Sequence, residues 1–429
     1  MKQKYAASIF LLIICLGLVT YNPKAALPGR PLIDYVRAFD CTYDYTVTNV
    51  QSTDTGYSII TINLTSQIWQ GNLWSHCVTI YHPYDCLSAG PVTIVVNGGT
   101  KPSGGLQALG EAAVAAQTPI AVLGNVPNQP LYGLKEDALI AYTFDQYLET
   151  KDYTWPLLLP MAKSVSSCMD ALESYYMETN FIVNGFIIAG ASKRGWTTWL
   201  AAAADPRAAG IIPLVYDNLN LHAQMENHVA TWGSYSPKIH DYTDLGIQDR
   251  LASKDGSELV EIVDPYAYLD RLSMPKLIII GTNDPYWPLG SINLYFHELP
   301  GENFLQVVPN VGHDLGNVEQ IFPTLTAFIQ HVEGSVKLSK PNWTYTDVDK
   351  ELIRLKLEAP GSRIVRLWHG VSSDGDFTNT KWAKAAVAES GLTAEFYLPI
   401  GREKQAVFAD ILIPRQGEDI ILTTTPLIY

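Results

Sequence analysis

The sequence predicts a doubly wound, mostly parallel α/β sheet followed by a small β-rich domain. Short apolar runs each end at a turn residue, as strands buried on both faces of a parallel sheet do. Helix-length segments separate these runs, and such alternation is typical of a doubly wound sheet with right-handed crossovers. Beyond residue 335 the pattern changes to short β-like pieces separated by glycine, aspartate and serine.

The chain of 429 residues is long enough for one large domain and a smaller companion. Single hydrophobic cores stop growing near about 250–300 residues. We therefore predict a signal peptide over residues 1–26, an α/β domain over residues 27–335 and a small β-rich domain over residues 336–429.

Residues 1–26 have the features of a secretory signal peptide. Lys2 and Lys4 precede an apolar run at residues 9–19, and the small residues Ala25 and Ala26 follow it. The apolar run is shorter than the roughly 20 residues that a membrane-spanning helix needs. We expect a secreted, extracellular protein with no stable membrane insertion after removal of the signal.

The apolar pattern indicates where the strands and helices lie. Residues 56–69 alternate partly and residues 77–82 would pair with them, so we predict antiparallel edge strands there. Buried parallel strands are predicted at residues 93–96, 120–123, 186–189, 211–215, 277–280 and 305–308. Helices are predicted at residues 154–177 and 196–204, and C-terminal strands at residues 352–357, 364–368, 394–398 and 420–424.

Residues 218–265 break the alternation of strand and helix. This segment is polar and contains several aromatic and histidine residues. Long connections in compact α/β domains often carry function. We interpret residues 218–265 as an insertion or lid over the site.

The composition limits the classes of partner. Hydrophobic residues make up 47% of the chain and charged residues 17%, and the formal net charge is −14. A sizeable core can therefore form, and no basic run is present that would bind nucleic acid or anionic lipid. Acidity of this kind favours solubility and would also suit cationic substrates. No nucleic-acid partner is expected.

Four cysteines follow the signal segment, namely Cys41, Cys77, Cys86 and Cys168. In an oxidising compartment an even number of cysteines predicts one or two disulfides. Three pairings are open, and Cys77 with Cys86 is the most local. No CxxC or Cys/His spacing indicates a metal site, and neither a metal nor a cofactor is expected.

Two Asn-x-Thr sequons are present, at Asn63 and Asn342. Such triplets are acceptors for N-linked glycans in secreted eukaryotic proteins. We predict glycosylation at both positions if the host is a eukaryote.

The most specific local pattern is Ile-Ile-Ala-Gly-Ala-Ser-Lys-Arg-Gly-Trp at residues 187–196. An apolar strand runs into a turn of small residues and then a helix, which is the context of a nucleophile elbow. Ser192 is the candidate nucleophile. Its Gly-x-Ser-x-x-Gly pattern is one residue longer than the usual Gly-x-Ser-x-Gly, and the alternative is a serine that caps the following helix.

A serine nucleophile needs a histidine base, and the histidine needs a carboxylate to orient it. In α/β-hydrolases these partners follow the serine in the order acid, then histidine, each after a strand. Asp284 follows the predicted strand at 277–280, and His313 follows the strand at 305–308. We predict a Ser192–Asp284–His313 triad on an α/β-hydrolase fold. Asp217 is an alternative acid, or a turn residue that bonds nearby backbone amides.

Acyl transfer also needs hydrogen-bond donors for the developing oxyanion. The amide of Lys193, directly after the nucleophile, is the first candidate. The second would come from Gly98 or Gly99, in the loop after the predicted strand at 93–96. The choice between the two glycines is open, and a plain glycine turn is the alternative.

Three strings in the sequence resemble the PhoPQ-activated pathogenicity-related protein family. They are Asp-Tyr-Thr-Trp-Pro-Leu-Leu-Leu-Pro-Met at 152–161, Gly-Ala-Ser-Lys-Arg-Gly-Trp-Thr-Thr-Trp at 190–199 followed by Asp-Pro-Arg, and Gly-Thr-Asn-Asp at 281–284. The resemblance implies an α/β-hydrolase domain related to prolyl and dipeptidyl peptidases, with the triad on Ser192, Asp284 and His313. The family includes secreted proliferation repressors of social amoebae, and the resemblance implies no single substrate.

Two further features concern this resemblance. The Lys193-Arg194 pair resembles the basic residue that follows the serine in glucuronoyl esterases, where it lies near the oxyanion. Alternatively, both residues begin a helix and their charges lie in solvent. Gly375-Asp376-Phe377 stands where the family often carries Arg-Asp-Phe. The role of the C-terminal domain is therefore left open.

Two functional hypotheses follow. The first is a secreted serine hydrolase acting on a peptide or a small-molecule ester. The second is a non-catalytic secreted signalling protein, similar to the proliferation repressors, that uses the fold as a scaffold and binds a cell-surface receptor.

Overall fold

A computed structural model describes residues 29–100, 106–389, 393–415 and 417–429. The predicted signal peptide, residues 1–26, lies outside the described residues. The strands are β1 (Asp44–Ser52), β2 (Tyr57–Trp69), β3 (Asn72–Pro83), β4 (Ala89–Val96), β5 (Ile120–Leu123), β6 (Ile182–Ala191), β7 (Ala208–Leu214), β8 (Lys276–Gly281), β9 (Asn303–Val308), β10 (Asn342–Asp347), β11 (Leu352–Glu358), β12 (Ile364–Ser372), β13 (Ala383–Glu389), β14 (Thr393–Pro399), β15 (Lys404–Ile413), β16 (Ile420–Thr423) and β17 (Leu427–Ile428).

The α-helices are α1 (Pro31–Arg37), α2 (Leu106–Ala116), α3 (Glu136–Thr150), α4 (Leu158–Tyr176), α5 (Lys193–Ala204), α6 (Leu221–Trp232), α7 (His240–Thr243), α8 (Ile247–Arg250), α9 (Lys254–Val263) and α10 (Phe322–Glu333). Short 3₁₀ helices occupy Pro237–Ile239, Pro265–Arg271, Ser291–Leu294, Phe296–Glu298 and Val318–Ile321. Within the described residues, no helix combines the length and the apolar composition needed to cross a membrane.

A large sheet forms the centre of the protein, with the strand order β1-β2-β3-β5-β4-β6-β7-β8-β9. The strands from β1 to β5 in this order pair antiparallel, and those from β5 to β9 pair parallel. Every residue of β5, β8 and β9 is buried, because helices cover both faces of the parallel half. The predicted mostly parallel sheet is confirmed.

Two hydrophobic cores form between the sheet and the helices on its two faces. On one face, Leu32 of α1, Met161 of α4 and Trp199 of α5 belong to the larger core. On the other face, Ala113 of α2 and Phe328 of α10 belong to a second core. The crossovers therefore place α1, α4 and α5 on one side of the sheet and α2 and α10 on the other.

The segment predicted as an insertion connects β7 to β8 and is helical. It contains α6, α7, α8 and α9. Asp264 joins its two ends, because one carboxylate oxygen accepts from the amide of Leu221 at 2.7 Å and the other from the amide of Asn220 at 3.2 Å. The same residue also accepts from the amide of Tyr266 at 2.9 Å. A single buried carboxylate thus closes the base of the insertion.

The C-terminal region is β-rich, as predicted. A three-stranded antiparallel sheet has the order β10-β11-β14, and a second has the order β13-β12-β15-β16, with β17 also paired to β15. The two sheets enclose a core that includes Leu355, Val365 and Phe396. The hydroxyl of Thr423 on β16 accepts from the amide of Val307 at 3.0 Å, so this region covers the open edge of β9.

The predicted disulfides are absent from the structure. Cys41, Cys77, Cys86 and Cys168 are all free. Cys77 lies inside β3, whose extended backbone carries the chain about 20 Å onward before it ends at Pro83. A disulfide needs Cα atoms about 4.4–6.8 Å apart, and the few residues after Pro83 cannot return Cys86 to that range.

The two predicted glycosylation sites have exposed side chains. Asn63 lies on β2 and Asn342 begins β10, and both are solvent-exposed. Exposure is the condition that a glycan needs, and the modification itself stays a prediction.

Candidate active site

Ser192 lies in the sharp turn between β6 and α5. Its backbone has φ 57° and ψ −126°, a region that side-chain-bearing residues rarely occupy. The turn is also crowded, because a Cβ on Gly190 would lie 2.4 Å from the carbonyl oxygen of Arg194. A Cβ on Gly195 would lie 2.8 Å from the Cβ of Tyr216. Small residues on both sides of the serine are therefore required, as in a nucleophile elbow.

A continuous hydrogen-bond chain joins three side chains at this turn. The Nε2 atom of His313 lies 2.8 Å from the Oγ atom of Ser192. The Nδ1 atom of His313 lies 2.7 Å from the Oδ2 atom of Asp284. The carboxylate is held from behind, since its Oδ1 atom accepts from the amide of Tyr286 at 2.8 Å. The three residues that the sequence singles out thus meet with the geometry of a nucleophile, a base and an orienting acid.

The parallel strands explain why residues far apart in the chain meet here. Gly190 pairs with Val96, and Gly281 pairs with Val308, near the carboxyl ends of their strands. The loops that follow β4, β6, β8 and β9 therefore leave the sheet at the same edge. These loops carry Gly98, Ser192, Asp284 and His313 respectively.

The C-terminal region supports the acid and base loops directly. The side-chain amide of Asn283, next to Asp284, donates to the carbonyl oxygens of Phe377, Thr378 and Thr380 at 3.2, 3.0 and 2.7 Å. Asn310, shortly before His313, exchanges two hydrogen bonds with the backbone of Trp382 at 3.1 and 2.7 Å. These contacts were not predicted, because nothing in the local sequence connects positions so far apart.

Among the described residues, the backbone amides of the predicted oxyanion donors have no backbone acceptor. The backbone amides of Gly98 and Gly99 donate to no backbone carbonyl among the described residues, whereas the carbonyl oxygen of Gly99 accepts from the amide of Asn125 at 2.8 Å. The carbonyl oxygen of Asn97 accepts from the amide of Val126 at 3.0 Å. Lys193 begins α5, and first-turn amides have no acceptor inside their helix. The described part of the loop is thus fixed through its carbonyls, and no described backbone group occupies its glycine amides.

The side chains of Lys193 and Arg194 are largely buried and form ion pairs with acidic residues of α3, so the solvent-facing alternative is wrong. Arg194 donates to both carboxylate oxygens of Glu136, at 2.5 and 2.7 Å, and its Nε donates to the carbonyl oxygen of Val126 at 2.8 Å. Its guanidinium packs against Gly98, where a Cβ would lie 2.0 Å from Nη2. Lys193 pairs with Glu136 at 3.0 Å and with Asp137 at 2.9 Å.

Glu136 is a site residue that the sequence analysis missed. Burial acts to raise the pKa of its carboxyl, but the hydrogen bonds and charge of Arg194, with Gln129 and Lys193, lower that pKa to about 2. The carboxylate therefore stays charged and holds both cations beside the elbow. A signal was present in the sequence, since two acidic residues begin α3 and two basic residues follow the serine.

Asp217, the alternative acid, is buried but does not bond His313. It is 4% exposed, and its Oδ1 atom has no hydrogen-bond partner among the described residues. Burial raises the pKa of Asp217 well above its usual value, and the neighbouring charge of Asp284 acts in the same direction. Asp284 is thus the carboxylate that contacts His313.

A pocket that is partly open to solvent lies beside Ser192, under the helical insertion. Its walls come from α3, α5, the insertion and the loop after Asp284, and they are formed by Asp137, Phe144, Ser192, Lys193, Trp196, Tyr216, Asn218, Leu221, Met225, Ile239, Tyr242, Ile247, Gln248, Leu251, Leu259, Val263, Tyr286 and Trp287. The segment predicted as a lid thus contributes much of the wall.

Comparisons with known proteins agree with this architecture. A model of the PhoPQ-activated pathogenicity-related protein family matches residues 32–378. Autocrine proliferation repressor protein A of Dictyostelium discoideum is 35% identical over 349 residues, which cover 75% of this chain and 68% of that protein. Acetyl xylan esterase from Paenibacillus sp. R4 superposes with a TM-score of 0.51 at 12% identity, over 70% of this chain and 91% of that one. The structural likeness shows the α/β-hydrolase fold.

Proposed function

The chain belongs to the PhoPQ-activated pathogenicity-related protein family, and on this premise we propose that it is a serine hydrolase that cleaves peptide or ester bonds. The hydrogen-bond chain from Asp284 through His313 to Ser192, with distances of 2.7 and 2.8 Å, carries the proposal. The esterase-like fold supports the reaction class, and the pocket beside Ser192 supports a bound substrate.

The proposed reaction proceeds through an acyl-enzyme. His313 Nε2 takes the proton from Ser192 Oγ as that oxygen bonds to the substrate's carbonyl carbon, and the carbonyl oxygen becomes an oxyanion. The amides of Lys193 and of Gly98 or Gly99 stabilise this charge. The carbonyl re-forms, the bond to the leaving group breaks, and the proton on His313 passes to that group. Water then attacks the acyl-enzyme in the same way: His313 takes a proton from the water and returns it to Ser192 Oγ as the acid is released.

The strained backbone of Ser192 and the ion pairs around it have defined roles in this scheme. The elbow presents the hydroxyl at the end of β6, where the first-turn amides and the dipole of α5 favour negative charge. Glu136 binds Arg194 through two hydrogen bonds, and Arg194 packs against Gly98. The network therefore fixes the spacing between the elbow and the glycine loop.

A fluorophosphonate probe tests the proposal, because it reacts with serine nucleophiles that a base has activated. We expect wild-type protein to be labelled on Ser192 and Ser192→Ala to be unlabelled. Asn293→Ala, outside the site, is the folded control and is expected to be labelled. Absence of labelling in wild type, under conditions that label a known serine hydrolase, would overturn the hydrolase proposal.

A second candidate function is extracellular signalling without catalysis. The 35% identity to a protein named for repressing proliferation favours it, and a cell-surface receptor would then be the partner. The two functions separate in one comparison, in which cells are treated with wild-type or Ser192→Ala protein. Equal effects on proliferation would assign the signal to the surface of the fold, whereas loss of the effect would assign it to hydrolysis.

Secretion is part of both proposals. Residues 1–26 carry the sequence pattern of a signal peptide. Expression with and without this segment, followed by detection in the medium, tests it. Protein that reaches the medium equally in both forms would contradict export by this signal.

A further inference from the structure

The pocket beside Ser192 is apolar over most of its surface. Aromatic rings form one wall, where Trp196 stacks on Tyr216 with centroids 5.2 Å apart and planes inclined by 21°, and Phe144 meets Trp196 edge-on. Aliphatic side chains of the insertion, including Leu251 and Leu259, form another part of the wall. A pocket of this composition binds a large apolar group, because transfer of such a group from water is favourable.

The charged residues in the pocket wall are already paired. One oxygen of Asp137 lies 2.9 Å from Nζ of Lys193, and the other accepts from the hydroxyl of Tyr242 at 3.1 Å. The wall thus presents no unpaired charge to a ligand. A charged substrate group would therefore lose its hydration without gaining a partner.

Three polar atoms in the wall have no partner among the described residues. They are the amide oxygens of Asn218 and Gln248 and the indole N–H of Trp287. Asn218 is 4% exposed and Gln248 is 8% exposed. By contrast, the indole N–H of Trp196 in the same wall is paired, because it donates to the carbonyl oxygen of Val263 at 2.5 Å. Buried polar atoms are nearly always hydrogen-bonded in folded proteins. Each of these three atoms has less than 1 Å² of accessible surface, so it bonds a ligand only after its side chain turns toward the pocket.

An amide group on the ligand would pair with the side-chain amide of Asn218 once that side chain turns toward the pocket. The side chain of Asn218 offers an acceptor oxygen and a donor nitrogen, which complement the N–H and C=O of a peptide bond. A fatty acyl chain offers no donor, so it would gain no hydrogen bond from the oxygens of Asn218 and Gln248. A ligand with an apolar side chain and an adjacent amide therefore fits this pocket better than a hydrocarbon chain does.

We propose that this pocket binds a large apolar side chain of a peptide substrate, next to the scissile carbonyl, and that Asn218 hydrogen-bonds the amide of the same residue. This inference deepens the proposed hydrolase function and rests on it. It makes the insertion a specificity element, since Asn218 begins the segment that supplies most of the apolar wall.

Two p-nitrophenyl esters that differ by one amide test the inference. The esters of N-acetyl-L-phenylalanine and of 3-phenylpropionic acid share the aromatic group and the leaving group, and only the first has the amide. Each kcat/KM is divided by the ester's rate of hydrolysis by hydroxide, which removes the difference in intrinsic reactivity. We expect the corrected ratio to favour the amide ester about tenfold in wild type, as one hydrogen bond predicts.

Asn218→Ala is expected to reduce this ratio to near one. Asn227→Ala is the matched control, because Asn227 lies on α6 outside the pocket wall, and it is expected to keep the wild-type ratio. A ratio near one in wild type, or a ratio unchanged by Asn218→Ala, would overturn the inference. Faster hydrolysis of p-nitrophenyl octanoate than of both aromatic esters would also overturn it, in favour of a fatty acyl substrate.

A binding measurement keeps the inference testable if hydrolysis fails. Trp196 and Trp287 lie in the wall, so their fluorescence reports occupancy of the pocket in Ser192→Ala protein. N-acetyl-L-phenylalaninamide is expected to bind at least about tenfold more tightly than 3-phenylpropanamide, which lacks the acylamino group. Binding without hydrolysis by wild type would refute the catalytic proposal alone, whereas active enzyme that does not discriminate would refute the pocket assignment alone. Absence of binding by either amide would also refute the pocket assignment.

Discussion

The imidazole of His313 lies against the phenol ring of Tyr286, with centroids 4.0 Å apart and planes inclined by 27°. The amide of Tyr286 also donates to Asp284 at 2.8 Å. Burial raises the pKa of the Tyr286 hydroxyl, with the charge of Asp137 acting in the same direction. One neutral residue thus contacts both the acid and the base of the proposed triad.

Removal of the Tyr286 ring is expected to slow hydrolysis. Tyr286→Ala frees one face of the imidazole, so we expect kcat/KM for p-nitrophenyl acetate to fall about tenfold, in line with one aromatic contact. Tyr286→Phe keeps the ring and is expected to stay within about twofold of wild type. Equal loss in both variants would show that the hydroxyl, not the stack, matters.

The two buried carboxylates are expected to differ sharply in their effect on catalysis. Asp284→Asn leaves His313 without its charged partner, and we expect kcat to fall about 10⁴-fold. Asp217→Asn is the matched control, because Asp217 does not bond His313, and we expect less than about a tenfold change. Both variants are measured with the same ester. A larger loss in Asp217→Asn would make Asp217 the catalytic acid.

The backbone of Ser192 is expected to destabilise the fold. A residue with a side chain is strained at φ 57° and ψ −126°, whereas glycine tolerates positive φ. We expect Ser192→Gly to unfold with a free energy about 1 kcal/mol higher than Ser192→Ala, as measured by urea denaturation. Comparison of these two variants removes the effect of the lost hydroxyl. A lower value for the glycine variant would contradict strain at the elbow.

The three hydrogen bonds from Asn283 to the C-terminal region are expected to matter for catalysis. Asn283→Ala frees the loop that carries Asp284, so we expect kcat/KM to fall about tenfold or more and stability to fall by about 1–3 kcal/mol. Asn293→Ala is the matched control, because its side chain donates to the carbonyl oxygen of Pro426 at 2.8 Å, away from the triad loops.

The control variant is expected to lose stability while keeping kcat/KM. Thermal unfolding and ester hydrolysis of both variants provide the comparison. If both lose activity in proportion to stability, the contact made by Asn283 is structural only.

Asp264 is expected to make stability depend on pH. Burial raises its pKa to about 6, although three backbone amides act to lower it. The folded state therefore binds more protons than the unfolded state between about pH 4 and 6, and stability falls as pH rises through this range. The contribution is fully present below the unfolded pKa and is lost above the folded one.

Asp264→Asn removes this titration. We expect the unfolding free energy of wild type to fall between pH 4 and pH 6 relative to that of Asp264→Asn, as measured by denaturant unfolding. A difference that stays constant over this range would show that Asp264 does not titrate there.

Much of the fold and of the site could be predicted because the signals are local. Each buried strand is a short apolar run, and Ser192, Asp284 and His313 each stand directly after such a run. Once the strands are parallel, their carboxyl ends share one edge, so the three side chains were predicted to meet there. The N-terminal edge strand β1 was missed, because most of its residues are exposed and its apolar content is low. The disulfide prediction was wrong because the number of cysteines does not tell how far apart they lie in the fold.

By itself the sequence determined the sheet, the elbow and the order of the three candidate residues, since strand and turn preferences depend on neighbouring residues. Only the tertiary structure decided which carboxylate bonds His313, how Glu136 binds Arg194, and how Asn283 joins the C-terminal region to the acid loop. It also decided the pocket, whose walls come from separate segments. Such contacts depend on distances between residues remote in the chain, which are set when the helices and the insertion pack on the sheet.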